Sequence, residues 1–508
     1  MTLPADADPS TSASCGTGIR GLDDILAGGL PAKRLYLVRG TPGTGKTTLA
    51  LQFLLEGRRC GERGLYITLS ETGAELRSVA ASHGWDLDGI ELVELANLAD
   101  PSDPTGHTTL LHPSEQELLR TTRLIEERVQ RSQPRRLVFD SLSELRLLAQ
   151  NALRYRRQIL GIKRFLSTCN CTVLLLDDQS DADHAQVESL AHGVIELQLL
   201  RPDFGAERRR LSVIKLRGLK FRGGYHDYVI ATGGLDVFPR LVAAEHFEDF
   251  PALAASSGIA ELDRLLGGGL DAGTSTLFVG PAGAGKSTLA LQYGIASAIS
   301  GERSCVVFAF EEVLATIRAR ARGLGLPIEE AIQRGRLQLR QIDPAELSPG
   351  EFASVVRKKV DEAGIRMVII DSINGYLNSM PGEPYQVAQV HELLTYLAQR
   401  GVVTMMVLAQ HGLVGTMQAP VDITYLADCV VLLRFFEFDG SIRKAVSVLK
   451  KRSGSHEPTI RELRLEDGQG VRIGPALSQF RGVLTGVPVY TGSADLILEE
   501  AAVGGTAH

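Results

Sequence analysis

The chain repeats itself. Residues 18–57 read GIRGLDDILAGGLPAKRLYLVRGTPGTGKTTLALQFLLEG, and residues 258–292 read GIAELDRLLGGGLDAGTSTLFVGPAGAGKSTLALQ, an offset of 240 positions. Gly18, Ile19, Leu22, Asp23, Gly28, Gly29 and Leu30 recur as Gly258, Ile259, Leu262, Asp263, Gly268, Gly269 and Leu270. A period this long is a whole domain, not a solenoid unit, and 508 residues are too many for one core. The reading is a tail over 1–16, one domain over 17–245, a second over 246–490 and a tail over 491–508. The boundary falls near 240–256, where LVAAEHFEDFPALAASS interrupts the pattern.

Within each copy, short apolar runs alternate with longer amphipathic stretches. Leu35–Val38, Leu65–Leu69, Leu137–Phe139 and Val173–Leu176 have strand length; so do Thr276–Val279, Cys305–Phe310, Met367–Ile370 and Val402–Leu408. Apolar strands between helices imply a mainly parallel sheet covered on both faces. The fold class expected is two tandem α/β domains.

Each copy carries G-x-x-x-x-G-K-[ST] between a strand and a helix. The first is Gly40-Thr41-Pro42-Gly43-Thr44-Gly45-Lys46-Thr47, followed by Thr48; the second is Gly280-Pro281-Ala282-Gly283-Ala284-Gly285-Lys286-Ser287, followed by Thr288. Glycines let backbone N–H groups wrap an anion, and the helix N-terminus adds a favourable dipole. Lys46 and Lys286 are expected to reach the β- and γ-phosphates of ATP, and Thr47 and Ser287 to offer a hydroxyl to Mg²⁺. Asp140 and Asp371 end apolar strands and supply the carboxylate for the metal's water shell.

Hydrolysis needs a group that orients or deprotonates water. The second copy offers Glu311-Glu312 after its second strand. The first has only Glu71 there, and the residues leave open whether it corresponds to Glu311 or to Glu312.

Composition narrows the partners. A net charge of −6, 6% aromatics and one Trp do not suit a sequence-independent nucleic-acid binder. No apolar run approaches the ~20 residues of a membrane span. Six cysteines without CxxC pairs read as buried, reduced thiols of a cytoplasmic protein.

With these residues assembled, the chain resembles the KaiC family, tandem RecA-type ATPases. The likeness covers about 17–490. It includes both loops, the Glu pair, both Asp-Ser strand ends, the His83–Leu87 segment HGWDL and the Phe480–Pro488 close. The resemblance implies a P-loop NTPase fold and a homohexamer with ATP between subunits. It also implies Lys215, Arg217, Lys450 and Arg452 facing the next subunit's γ-phosphate, and a KaiB-like or other signalling partner. In circadian members the second domain phosphorylates an adjacent Ser and Thr on itself. Here Thr424 stands at the first acceptor position and Tyr425 at the second, so a single-site autokinase is expected more than a two-site cycle. Two other readings stand beside this: a nucleotide-gated scaffold without kinase activity, and a RecA-like motor on nucleic acid.

Overall fold

The computed structural model describes residues 14–95, 113–149, 151–178, 188–202, 205–343, 345–378, 386–410, 423–484 and 488–491. The chain divides into two compact units, 1–240 and 241–508. The linker expected near 240–256 begins inside the second core: Leu241 and Ala243 are buried against its helices. Of the tails expected over 1–16 and 491–508, residues 1–13 and 492–508 lie outside the described residues, while Ser14 and Cys15 pair with Pro31 and Leu30. Of the thiols, Cys60 is exposed and Cys169 half-buried, against expectation; the other four are buried.

Each unit is built on a nine-stranded sheet. The first has β1 (Leu35–Gly40), β2 (Gly64–Thr68), β3 (Ile90–Glu94), β4 (Arg136–Asp140), β5 (Thr172–Asp178), β6 (Gly193–Leu200), β7 (Arg208–Leu216), β8 (Tyr225–Ala231) and β9 (Gly234–Phe238). The second has β10 (Ser275–Gly280), β11 (Cys305–Ala309), β12 (Leu337–Gln341), β13 (Met367–Asp371), β14 (Val403–Ala409), β15 (Cys429–Phe438), β16 (Ser441–Lys451), β17 (Arg461–Glu466) and β18 (Gly470–Ala476). Strand order is β3-β2-β4-β5-β1-β6-β7-β8-β9, and the second sheet repeats it as β12-β11-β13-β14-β10-β15-β16-β17-β18. Pairing from β3 to β6 is parallel and the last three strands are antiparallel; the second sheet does the same. These are tandem RecA-like α/β domains. The expected strands are all present; five are longer by one to three residues, because polar ends such as Arg136, Asp140 and Asp178 continue the ladder, while Leu65–Leu69 and Val402–Leu408 shift by one residue and Cys305–Phe310 ends one earlier.

Alternate side chains explain the layers. In β1, Tyr36 and Val38 enter the core under helix Lys46–Arg59, while Leu35 and Leu37 enter the opposite core under helices Pro113–Ser132 and Ala152–Thr168. Covered on both faces, the strand has no polar side, which is why its run is continuous rather than alternating. Truncating the fully buried Leu37 to alanine would cost about 2–5 kcal/mol.

This order places the phosphate strand β1 between β5 and β6, with β4 one strand further away. The crevice at the carboxyl edge beside β1 is where an open parallel sheet takes its ligand.

Candidate functional site

Both loops turn into their helices through left-handed glycines. Gly43 and Gly45 have φ of 84° and 88°, Gly283 and Gly285 of 78° and 105°. A side chain at Gly45 would meet Ile230 at 2.6 Å, so geometry and packing both demand glycine. Helices Lys46–Arg59 and Lys286–Ser300 begin directly after them with no side-chain cap, leaving first-turn N–H groups for an anion.

Both loop lysines are buried and fold back on their own loops. Lys46 Nζ donates to Gly40 O at 2.7 Å, and Lys286 Nζ to Pro281 O at 2.7 Å. Lys46 also meets Asp178 at 2.8 Å. Asp178 ends β5 opposite Gly40; opposite Gly280 stands Ala409. Without such a partner, burial pushes the Lys286 ammonium down to about 8, against the pull of Asp371 and Glu311.

At the two strand ends Asp140 is buried and Asp371 half-buried. Tyr66 donates its hydroxyl to Asp140 at 2.5 Å and lies within hydrogen-bond reach of the Thr47 hydroxyl. In the second domain the Ser287 hydroxyl lies directly beside Asp371. Burial raises both carboxyls above their ordinary value. Among the described residues no three acidic, His or Cys side chains converge as a metal cage. A hydroxyl and a carboxylate per site fit Mg²⁺ all the same, since that ion takes most of its ligands from phosphates and water.

The correspondence of Glu71 is settled by the ladder. Leu69 N–H donates to Asp140 O and Phe310 N–H to Asp371 O, both at 2.7 Å. Leu69 therefore matches Phe310, Ser70 matches Glu311, and Glu71 matches Glu312. The extra residue of the second copy lies in its longer phosphate-loop helix, 15 residues against 14. The two matched acids then diverge. Glu312 is bound by Arg320 at 2.5 Å, leaving Glu311 as the exposed acid whose field reaches Lys286. Val79 stands where Arg320 does, and Glu71 instead lies near Asp140 and Lys46 with its Oε2 buried and unpartnered. Burial, then Asp140, push its carboxyl up to about 7. A capping box between Thr72 and Glu75 and a Thr68 hydroxyl bond to Glu71 N–H at 2.9 Å fix that turn.

Lys215, Arg217, Lys450 and Arg452 are not at their own loops. Arg217 N–H bonds His192 O, and His192 N–H bonds Leu35 O, which puts this segment at the start of β1, five residues or ~16 Å from Gly40. Each set grips the turn before the sixth strand. Lys215 Nζ donates to Glu188 O (2.6 Å) and Arg217 to Ser189 O (3.1 Å); Lys450 donates to Thr424 O (3.2 Å) and Ala427 O (2.6 Å), and Arg452 to Tyr425 O (2.9 Å). Thr424 is half-buried and Tyr425 exposed.

Sequence reasoning missed Asp178, Tyr66 and Arg320. Asp178 had a signal, since LLLDD ends an apolar strand as FD and IID do. Tyr66 and Arg320 had none, because their partners lie on other strands or a turn away.

A family model described as "ATPase: KaiC" matches residues 15–242 and again 255–478. A circadian clock protein KaiC3 of Synechocystis sp. is 26% identical over 487 residues, covering 94% of this chain and 95% of the relative. The circadian clock oscillator protein KaiC of Synechococcus elongatus is 26% identical over 504 residues, covering 96% and 94%. That of Parathermosynechococcus lividus is 27% identical over 488 residues, covering 93% and 87%. With paired phosphate loops on paired RecA-like sheets, and the family's model matching both halves, the chain belongs to the KaiC family of nucleotide-binding ATPases.

Proposed function

We propose that this chain is a Mg-ATP-hydrolysing signalling ATPase that assembles as a cytoplasmic homohexamer with nucleotide between neighbours. Its second domain also phosphorylates itself across that interface. One observation carries the assembly: each domain holds its loop lysine at one edge of the sheet and its Lys-x-Arg cations at the other. Within one domain the two do not meet, so a site with both needs a neighbouring domain, which the hexamer supplies. Cations arriving from a neighbour stabilise developing charge, so turnover waits for assembly.

Thr47 with Asp140, and Ser287 with Asp371, would hold the metal, which when bound neutralises the β- and γ-phosphate oxygens. Lys46 and Lys286 leave their carbonyl partners to meet the same phosphates. Glu311 accepts the proton of the attacking water, because Arg320 keeps Glu312 occupied. In the first domain Glu71 takes that part, from the position of Glu312.

For the kinase reaction the Thr424 oxygen attacks the γ-phosphorus and the bond to the bridging β-phosphate oxygen breaks. ADP leaves, and Glu311 takes the hydroxyl proton. Lys450 and Arg452 bind the backbone of Thr424, Tyr425 and Ala427, so the element offering cations to a neighbour offers the acceptor too. Phosphopeptide mapping after incubation with Mg-ATP is expected to find phosphate on Thr424, with Tyr425 a slower acceptor at most. Full ATP turnover with both hydroxyls bare would leave an ATPase scaffold. Described helices include none long and apolar enough to cross a membrane. A KaiB-like or other signalling protein would be the downstream partner, and nucleic acid would not be.

A further inference from the structure

The Lys-x-Arg end of the first domain holds more charge than that of the second. Three consecutive carbonyls of the turn before β6 each take a different cation: Lys215 on Glu188 O, Arg217 on Ser189 O, and Lys163 on Leu190 O at 2.7 Å. A fourth, Arg34, donates to Arg217 O at 2.5 Å. Among the described residues none of the four has a carboxylate partner, and the Glu188 carboxylate is taken by Arg39. His192 completes the group. Its Nδ1 accepts Leu35 N–H at 3.2 Å, which leaves Nε2 as the donor. The crowding has electrostatic consequences: burial and then Arg217 and Lys163 lower the Lys215 ammonium, and burial with Lys163, Arg34 and Arg217 lowers His192.

The second domain dismantles this cluster residue by residue. Strand register places Thr274 where Arg34 stands, and the helix before the fifth strand places buried Leu394 where Lys163 stands. Asp428 replaces His192. It lies 3.5 Å from Arg452 and accepts from Ser275 N–H at 3.0 Å. Among the described residues two cations and one acid remain.

Lys163, Lys215 and Arg217 on one turn, with Arg34 on the Arg217 carbonyl, repel one another, and among the described residues the fold gives them carbonyls instead of acids. Carbonyls orient a cation without cancelling its charge, so the full charge stays available to an incoming anion. We propose that Arg34 and Lys163 act with Lys215 and Arg217 as a four-cation receptor, present in the first domain alone, for the terminal phosphates of a nucleotide held by a second copy of this chain. The inference rests on the assembly reading above and extends it: first-domain contacts depend on triphosphate more steeply than second-domain contacts.

The test uses the full chain carrying Lys286→Ala, so that only the first loop drives assembly, followed by light scattering against ATP concentration with magnesium. Grafting the second domain's residues, Arg34→Thr with Lys163→Leu, is expected to raise the ATP needed for half-assembly at least about tenfold, with a shallower salt dependence. Arg34→Lys, which keeps the charge, is expected to stay within about threefold. If the grafted chain melts early, Lys163→Gln replaces Lys163→Leu. A graft that assembles like its parent, while Lys215→Ala with Arg217→Ala fails to assemble, overturns the receptor and leaves the assembly reading intact. If neither pair matters, the assembly reading falls as well. Calorimetry of inorganic triphosphate on chains with both loop lysines replaced separates the sources. Tight binding there, with ATP-driven assembly untouched by the graft, would make free phosphate the ligand and overturn the inference.

Discussion

Lys46 and Lys286 occupy the same place in two copies of one fold, yet their surroundings differ. Lys46 has a carboxylate at 2.8 Å from Asp178, where the second domain has Ala409. Asp140 takes the Tyr66 hydroxyl, whereas the strand position of Tyr66 is Val307 in the second domain, and Ser287 sits directly beside Asp371. Glu71 turns inward because no arginine draws it away, while Arg320 holds Glu312. The first loop lysine thus has a paired carboxylate that the second lacks, while the second domain pairs the acid that the first leaves alone. A duplicated backbone decides where chemistry can occur; side chains one layer further out decide how ready each copy is. The difference is open to attack from either domain.

The largest effect is expected at Glu311. In a chain whose first loop is disabled by Lys46→Ala, Glu311→Gln is expected to slow phosphate release about 10²–10⁴-fold, the usual worth of a positioned base. Glu312→Gln in the same background is expected to cost less than about tenfold. Equal losses would show that the Arg320 pair does not set the roles apart. The converse change, Ser70→Glu in a Lys286→Ala chain, restores the missing first acid and is expected to speed the first site about tenfold.

The next effect belongs to Asp178. A nucleotide entering the first loop must take Lys46 from this carboxylate, a competition the second loop lacks. Asp178 is itself nearly half exposed, at 46%, so water already weakens the pair. Asp178→Ala is therefore expected to tighten ATP at the first site about five- to tenfold in calorimetry of the Lys286→Ala chain. Ala409→Asp is expected to loosen the second site by a similar factor. An unchanged affinity in both would mean that Lys46 meets phosphate without leaving Asp178.

How much of this was legible beforehand follows the range of the interactions. The loops, their strands and helices and the terminal Asp140 and Asp371 are local patterns of a few residues, and the structure places them together at one sheet edge. The match of Glu71 to Glu312 was not legible, because it turns on one extra residue in helix Lys286–Ser300, which only the Leu69 and Phe310 ladder bonds reveal. Tyr66 looked like a core aromatic, since the alternation of β2 says which face it joins and nothing of the carboxylate on β4. Lys163 and Arg34 stood out in no local pattern; the fold sets Lys163 on one turn with Lys215 and Arg34 on the Arg217 carbonyl. The strand at Ser14–Cys15 was not legible, because SC carries no strand signal of its own; its partner Leu30–Pro31 supplies it.

The smallest effect probes Glu71 through stability. Its carboxyl titrates near 7 in the folded chain, against 4.5 for an ordinary glutamate. The folded state thus binds the proton more tightly than the unfolded state, so stability is greatest below 4.5 and is lost as pH rises toward 7. A shift of that size would be worth roughly 3 kcal/mol in a dry site. Water at this half-buried carboxyl reduces it to about 1 kcal/mol. Glu71→Gln removes the charge and keeps the shape. At pH 8 the substituted first domain is expected to melt about 2–4 °C above the parent, and at pH 4.5 to melt with it. The parallel change at Glu312 is expected to destabilise instead, because Arg320 would lose its partner. Opposite signs at two matched positions would establish that the acids have parted roles; equal signs would mean that the inward turn of Glu71 is without energetic consequence.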